Sequence, residues 1–266
     1  MEANKMENLM RLLWAITMVC SLLFTPAAGA QETVLLLTGE WDPYVSETVD
    51  NYGFAAEVVS YAFIAAGFEP RFEFATWNRC EAQIKSGAVL ATFPHELTEE
   101  REKFAIFSSP IAMSSSFFFY MKERLENFSF TSLENLQDYT IGGVKGYYYV
   151  PMFQRAGLNV DYASSATFSF KKLYLGMIDV LPENEFVGWK IINKLYPNEL
   201  YKFGTSTKAL NESSLHLMVS RRFPGSAAVL QKFNQGLESI MQKGIYRKIL
   251  KKYVKNTKID MPHTIY

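Results

Sequence analysis

Residues 97–111 read LTEEREKFAIFSSPI, and the arginine among them is the first side chain that asks for a partner. Thr98 suits the N-cap of a short helix, and Glu99 and Glu100 suit the positive end of its dipole; Arg101 has the wrong sign for a helix start. Arg101 is therefore either a solvated charge balanced by those glutamates or a cation beside which an anion arrives. Further on, LPENEF places Glu183 and Glu185 two apart around Asn184, just ahead of a helical stretch. Such carboxylates serve as helix-start acids, as acceptors for an ammonium group, or as proton donors where burial raises their pKa. IGGVKGYYY is a glycine-containing loop ahead of a helix, an arrangement whose N–H groups receive anions. It does not match G-x-G-x-x-G, which argues against a dinucleotide. Trp41 sits in the polar loop WDPY directly after a strand, and Trp77 opens a helix after another; each either stacks on a ligand or packs a core.

Other chemistry has little support. His95, His216 and His263 share no metal-ligand spacing with one another or with Cys80. Neither G-x-S-x-G nor S-x-x-K occurs, and Cys80 on WNRCEAQIKSG reads as a small buried side chain. No catalytic residue, metal or cofactor is expected.

The elements that must position these residues follow from periodicity. TVLLLTG (33–39) is a buried strand ending in Gly, and GFAAEVVSYAFIAAGFEP carries a helix stopped by Gly67 and Pro70. Strand 71–76, helix 77–87 and strand 89–93 complete a β-α-β-α-β run, which calls for a mostly parallel sheet covered by helices. The pattern restarts at 139–146 and continues through a helix near 148–157, strand 159–163, helix 166–176, strand 177–181 and helix 185–196. Two apolar strands, near 115–122 and 215–220, frame this second unit, and two helices at 225–243 and 245–254 close the chain. Two α/β lobes joined by a pair of crossing strands imply a hinge with a cleft at the strand C-termini.

The first thirty residues are not counted in the fold. LMRLLWAITMVCSLLF (9–24) is an apolar run leading to TPAAGA, where Ala28 and Ala30 form a small-x-small cleavage site. Residues 1–30 are read as a signal peptide cut before Gln31, with translation starting at Met1, Met6 or Met10 and a retained anchor as the alternative. Cys20 follows Val19 inside the apolar run, which argues against a lipoprotein. Residues 31–266 have a formal charge near zero and one cysteine, Cys80, so no internal disulfide forms and no nucleic-acid surface is suggested. That length supports one large core or two modest ones.

Taken together the chain resembles the periplasmic solute-binding proteins of amino-acid ABC transporters and the related type II extracellular binding domains. GFAAEVV resembles their glycine-aromatic helix start, LTEEREKFAIFSSPI their T-x-x-R segment, and IGGVKGYYY a second-lobe turn. LYLGMIDVLPENE and the closing KFNQGLESIMQKGIYRKILKKY resemble their L-x-x-G-x-x-D stretch and terminal helix pair. The resemblance covers 33–254 and implies an α/β fold of two Rossmann-like lobes joined by a two-strand hinge. The lobe boundaries expected are 31–120 and 215–266 for the first and 121–214 for the second.

By the same resemblance, Arg101 lies at the cleft floor and grips a ligand carboxylate in bidentate fashion. Trp41 and Trp77 face each other across the ligand, with Phe93 and Tyr44 as further candidates whose alternative is packing. Gly146, Tyr147 and Tyr148 meet the carboxylate from the second lobe. The ammonium-binding carboxylate falls, by count from Asp179, on Asn184, so its neighbours Glu183 and Glu185 take that role after a one-residue shift. A helix start and Arg101 across the cleft would keep that acid ionised. Arg101→Ala is expected to leave the unliganded protein's melting temperature almost unchanged. Leu90, Pro94 and His95 depart from the family pattern, standing where an Asp and small hydroxyl residues are common. The function implied is an exported, monomeric protein that captures a small carboxylate-bearing, amino-acid-like ligand for an ABC permease. A membrane receptor in place of the permease, and a cyclohexadienyl dehydratase-like enzyme on the same fold, are the alternatives.

Overall fold

Among the described residues ten strands form one curled sheet in the order β2-β1-β3-β10-β5-β8-β6-β7, with β4 (Ala105–Phe107) on β10 and β9 on β5. The computed structural model describes residues 31–126 and 128–256, excepting the side chains of 254–256. The apolar run 9–24 and the expected cleavage after Ala30 lie outside the described residues. Among the described residues no helix is long and apolar enough to cross a membrane.

In the first part of the chain β1 (Glu32–Thr38) pairs in parallel with β3 (Ala91–Glu96), and β2 (Phe68–Phe74) forms the sheet edge. The helices α1 (Phe54–Ala65) and α2 (Trp77–Ser86) connect them. Strand β2 begins three residues before the expected start and runs through Pro70. An edge strand tolerates proline, because its free side needs no N–H donor. Strand β3 reaches Glu96 rather than ending at Phe93, again through a proline. Its ladder with β10 (Asn211–Ser220) skips Pro94, where the register shifts between His216 and Met218.

In the second part β6 (Ile141–Val144) pairs in parallel with β7 (Val160–Ala163) and with β8 (Val180–Asn184). Helix α4 (Val150–Arg155) is shorter than expected, and β9 (Phe203–Thr205) was not legible from its sequence. Strand β8 begins three residues later than the expected 177–181, so Glu183 and Asn184 belong to the strand rather than to the turn after it. Helix α6 (Glu185–Leu195) then starts directly, its first N–H groups capped by the Asn184 side chain.

The long strand β5 (Ala112–Met121) ties the two parts together. Residues 112–116 pair with β10 and 116–120 with β8, so Ser116 is where the partner changes. The cores divide on either side of it. One set gathers around Leu36, Phe63, Phe93 and Phe233, covered by α1 and α7 (Ser226–Gln242); the other gathers around Phe118, Phe153, Phe119 and Phe170. Phe186 and Val187 of α6 join the first set, so apolar packing continues across the cleft.

Candidate functional site

The C-terminal ends of β1, β3 and β8 converge at the point where β5 changes partner, where an α/β sheet leaves a crevice. A small cavity of about 40 Å³ lies there. Of the residues singled out in the sequence, Trp41, Trp77, Arg101, Gly146, Tyr147, Tyr148, Glu183 and Asn184 line it. Phe93 does not. It is fully buried in the first core, tilted against Phe72 at 5.1 Å between ring centroids, because inward and outward positions alternate along β3. Tyr44 also packs, stacked on Trp41 at 4.7 Å with its hydroxyl donating to the Met113 carbonyl.

Glu183 is 1% exposed and accepts three hydrogen bonds. Trp41 Nε1 donates to Oε1 at 3.0 Å, the Asn184 N–H donates to the same oxygen at 2.8 Å, and the Tyr147 hydroxyl donates to Oε2 at 3.2 Å. Burial nevertheless outweighs them and pushes the carboxyl up to about 7 from 4.5. The expectation of a firmly ionised acid at a helix start is thereby corrected. Glu183 is a strand residue, α6 begins two residues later, and Arg101 pairs with Glu81 rather than with it.

Asn184 is not a free ligand-binding group. Its Oδ1 accepts from the N–H groups of Phe186 and Val187, capping α6, while Nδ2 donates to Ser114 Oγ at 3.1 Å. Glu185 is half-buried and does not line the cavity. Of the two carboxylates weighed in the sequence, Glu183 is the one that lines the cavity.

Arg101 resolves the sign problem of its helix. The helix α3 (Glu99–Glu102) is a single turn, capped by Thr98, and Arg101 stands in its last turn, where a cation is favourable. Its side chain is 5% exposed. Nη1 donates to the Glu96 carbonyl at 2.9 Å and Nη2 to the Gly146 carbonyl at 3.0 Å, while Nε lies 3.6 Å from Glu81 Oε2. The guanidinium thus ties the first part of the chain to the second. An unchanged melting temperature on its removal is no longer expected, since buried partners would be lost.

Trp41 and Trp77 form one wall, not two. Their rings meet edge to face at 6.5 Å, and Trp77 in turn contacts His95. The cleft is closed tightly beside them: Gly146 has φ +87°, and a Cβ there would lie 2.5 Å from the Asn78 nitrogen. Lys190 and Asp42 add a 2.6 Å ion pair across the same cleft. Among the described residues no group of three His, Cys, Asp or Glu is placed to hold a metal.

One lining residue that sequence reading missed is Glu96. It is 6% exposed, Asn211 donates to its Oε2 at 2.5 Å, and burial pushes its carboxyl up to about 7. The signal was available: an acid closing an apolar strand, five residues before Arg101, at the strand end that faces a crevice.

No curated protein matches the sequence. Among solved structures, a histidine kinase sensor domain with similarity to periplasmic binding proteins superposes with a TM-score of 0.72 at 18% identity, covering 84% of this chain and 97% of that one. The GluR0 ligand-binding core from Nostoc punctiforme in complex with L-glutamate gives 0.68 at 18% identity, over 83% and 98%. An arginine transport-system periplasmic binding protein from Legionella pneumophila gives 0.70 at 18%, over 84% and 99%. These likenesses show the fold, that of type II periplasmic binding proteins. The family description "Bacterial extracellular solute-binding proteins, family 3" matches residues 35–256. The chain belongs to that family of extracellular solute-binding proteins.

Proposed function

We propose that the protein is exported, works as a monomer, and captures a small amino-acid-like solute bearing an amine between its two lobes for an ABC permease. One observation carries the reading. Trp41, after β1, donates into the buried carboxyl of Glu183 at the end of β8, so the cavity is walled from both sides of the two-strand crossing. A solute there touches both lobes and stabilises the closed form, which a membrane partner can read. The likeness to a ligand-binding core in complex with L-glutamate and to an arginine transport-system binding protein supports an amine-bearing solute. The carboxylate grip expected at Arg101 has less support, because its guanidinium already holds two carbonyls.

The test is a thermal-shift screen of the purified protein against amino acids, amines and organic acids, followed by calorimetry. A solute at a hundred times its Kd adds about 2.7 kcal/mol of stability. No stabilisation by any of the three classes would refute solute capture. Uptake of labelled solute in cells lacking the protein then separates permease from receptor: loss of uptake supports the permease, and retained uptake with loss of a solute response supports the sensor-domain likeness.

A second reading has its own observation. A carboxyl raised to about 7 inside a cleft is poised for proton donation, which suits a dehydratase on this fold. Incubation with prephenate and arogenate decides it. Multiple turnovers lost in Glu183→Gln would establish the enzyme; an unchanged substrate with tight binding supports the binder.

A further inference from the structure

We infer that the cavity is built to hold a primary ammonium group among Glu96, Glu183 and the Tyr148 hydroxyl, in a solute that carries no carboxylate; this rests on the solute-binding reading above.

A primary ammonium presents three N–H donors and no acceptor. Three acceptors with unused capacity line the same cavity. Glu183 Oε1 already accepts from Trp41 and from the Asn184 main chain, whereas Oε2 accepts only from Tyr147 and keeps one lone-pair direction. Glu96 Oε2 accepts from Asn211, and the Ser213 hydroxyl is a second donor beside the carboxyl, so two of its about four lone-pair directions stay open. The Tyr148 hydroxyl is buried and has no hydrogen-bond partner among the described residues. A buried hydroxyl in that condition costs free energy until something meets it. One acceptor comes from the first lobe and two from the second, so a single ammonium nitrogen would close the cleft as it binds.

The charges agree. Among the described residues two carboxylates face the cavity, and the one cation that lines it, Arg101, is matched by Glu81 outside it. With its nitrogens on the Glu96 carbonyl, the Gly146 carbonyl and Glu81, the guanidinium acts as a strut between main chains rather than as an anion receptor. A ligand carboxylate would enter against Glu96 and Glu183. The walls beside them, Trp41, Trp77 and Tyr147, are aromatic, and such faces attract cations. Size points the same way. A volume of about 40 Å³ accommodates about three water-sized groups, fewer than the heavy atoms of glycine. An ammonium head with a short alkyl chain fits without opening the lobes.

The experiment compares each amine with the amino acid that differs from it by one carboxylate: ethylamine with alanine, and methylamine with glycine. Propionate and tetramethylammonium serve as controls for the carboxylate alone and for a cation without N–H. Calorimetry on the mature wild-type protein should give each amine at least about tenfold tighter binding than its amino acid. Glu96→Gln should weaken the amine by about tenfold or more, and Tyr148→Phe by several-fold, with melting temperatures of both unliganded variants at or above wild type. Tighter binding of the amino acid, or amine affinity unchanged in Glu96→Gln, would overturn this inference and leave solute capture standing. Tetramethylammonium binding as tightly as ethylamine would also overturn it, since no N–H donor would then be read. Absence of binding by all amines, amino acids and organic acids would defeat both.

Discussion

Replacing Glu183 with Gln should stabilise the unliganded protein at alkaline pH and do little at acid pH. The native carboxyl titrates near 7 against an ordinary value of 4.5, because it is buried. Between those values the native state binds more protons than the unfolded chain, so stability falls as pH rises through the window. The full shift corresponds to about 3 kcal/mol, of which about 2.5 kcal/mol is expressed between pH 5 and 8. Gln keeps the hydrogen bonds: its carbonyl accepts from Trp41 and the Asn184 N–H, and its amide donates to the Tyr147 oxygen. The other groups around the cavity, Glu96, Arg101, His95 and the three tyrosines 147–149, are common to both proteins. Thermal unfolding followed by far-UV circular dichroism should therefore show the variant's advantage growing by about 5–10 °C from pH 5 to pH 8. A difference in melting temperature that is the same at both values would refute the reasoning. It would mean that Glu183 is ionised across the whole range, as its helix-start position suggested.

Arg101→Ala removes two buried hydrogen bonds and the partner of Glu81, and should destabilise the unliganded protein by about 3–5 kcal/mol in denaturant unfolding; an unchanged midpoint would return Arg101 to a purely ligand-facing role. Gly146→Ala forces a Cβ against the Asn78 nitrogen at a left-handed backbone position, so small-angle scattering should report a wider cleft and calorimetry weaker solute binding. Trp41→Phe keeps the stack on Tyr44 but deletes the donor to Glu183 Oε1, and in thermal unfolding against pH should move the loss of stability to higher pH. Intact mass of the exported protein should place its first residue at Gln31; retention of residues 1–30 would show an anchored form.

Much of the fold was legible because apolar periodicity is a local signal. The alternation of strands and helices, the two framing strands expected near 115–122 and 215–220 and found at 112–121 and 211–220, and the closing helix pair follow from the side chains that each element must bury. Strand ends were less legible wherever proline intervened. Pro70 read as a helix stop and strand 89–93 was drawn short of Pro94, yet an edge position and a register shift absorb both prolines, and both devices depend on neighbours far along the chain. The site was legible as a set of residues but not as chemistry. Spacing and resemblance pointed to Trp41, Arg101, Tyr147 and Glu183; nothing local told that Trp41 donates to Glu183 across 142 positions of sequence. Nor could sequence weigh burial against hydrogen bonding at Glu183 and Glu96, since desolvation is a property of the closed assembly. The sequence by itself determined an α/β chain with a crevice where two strands cross. The tertiary structure decided the sign of that crevice, by engaging the one arginine with main-chain carbonyls and leaving two buried carboxyls to face whatever enters.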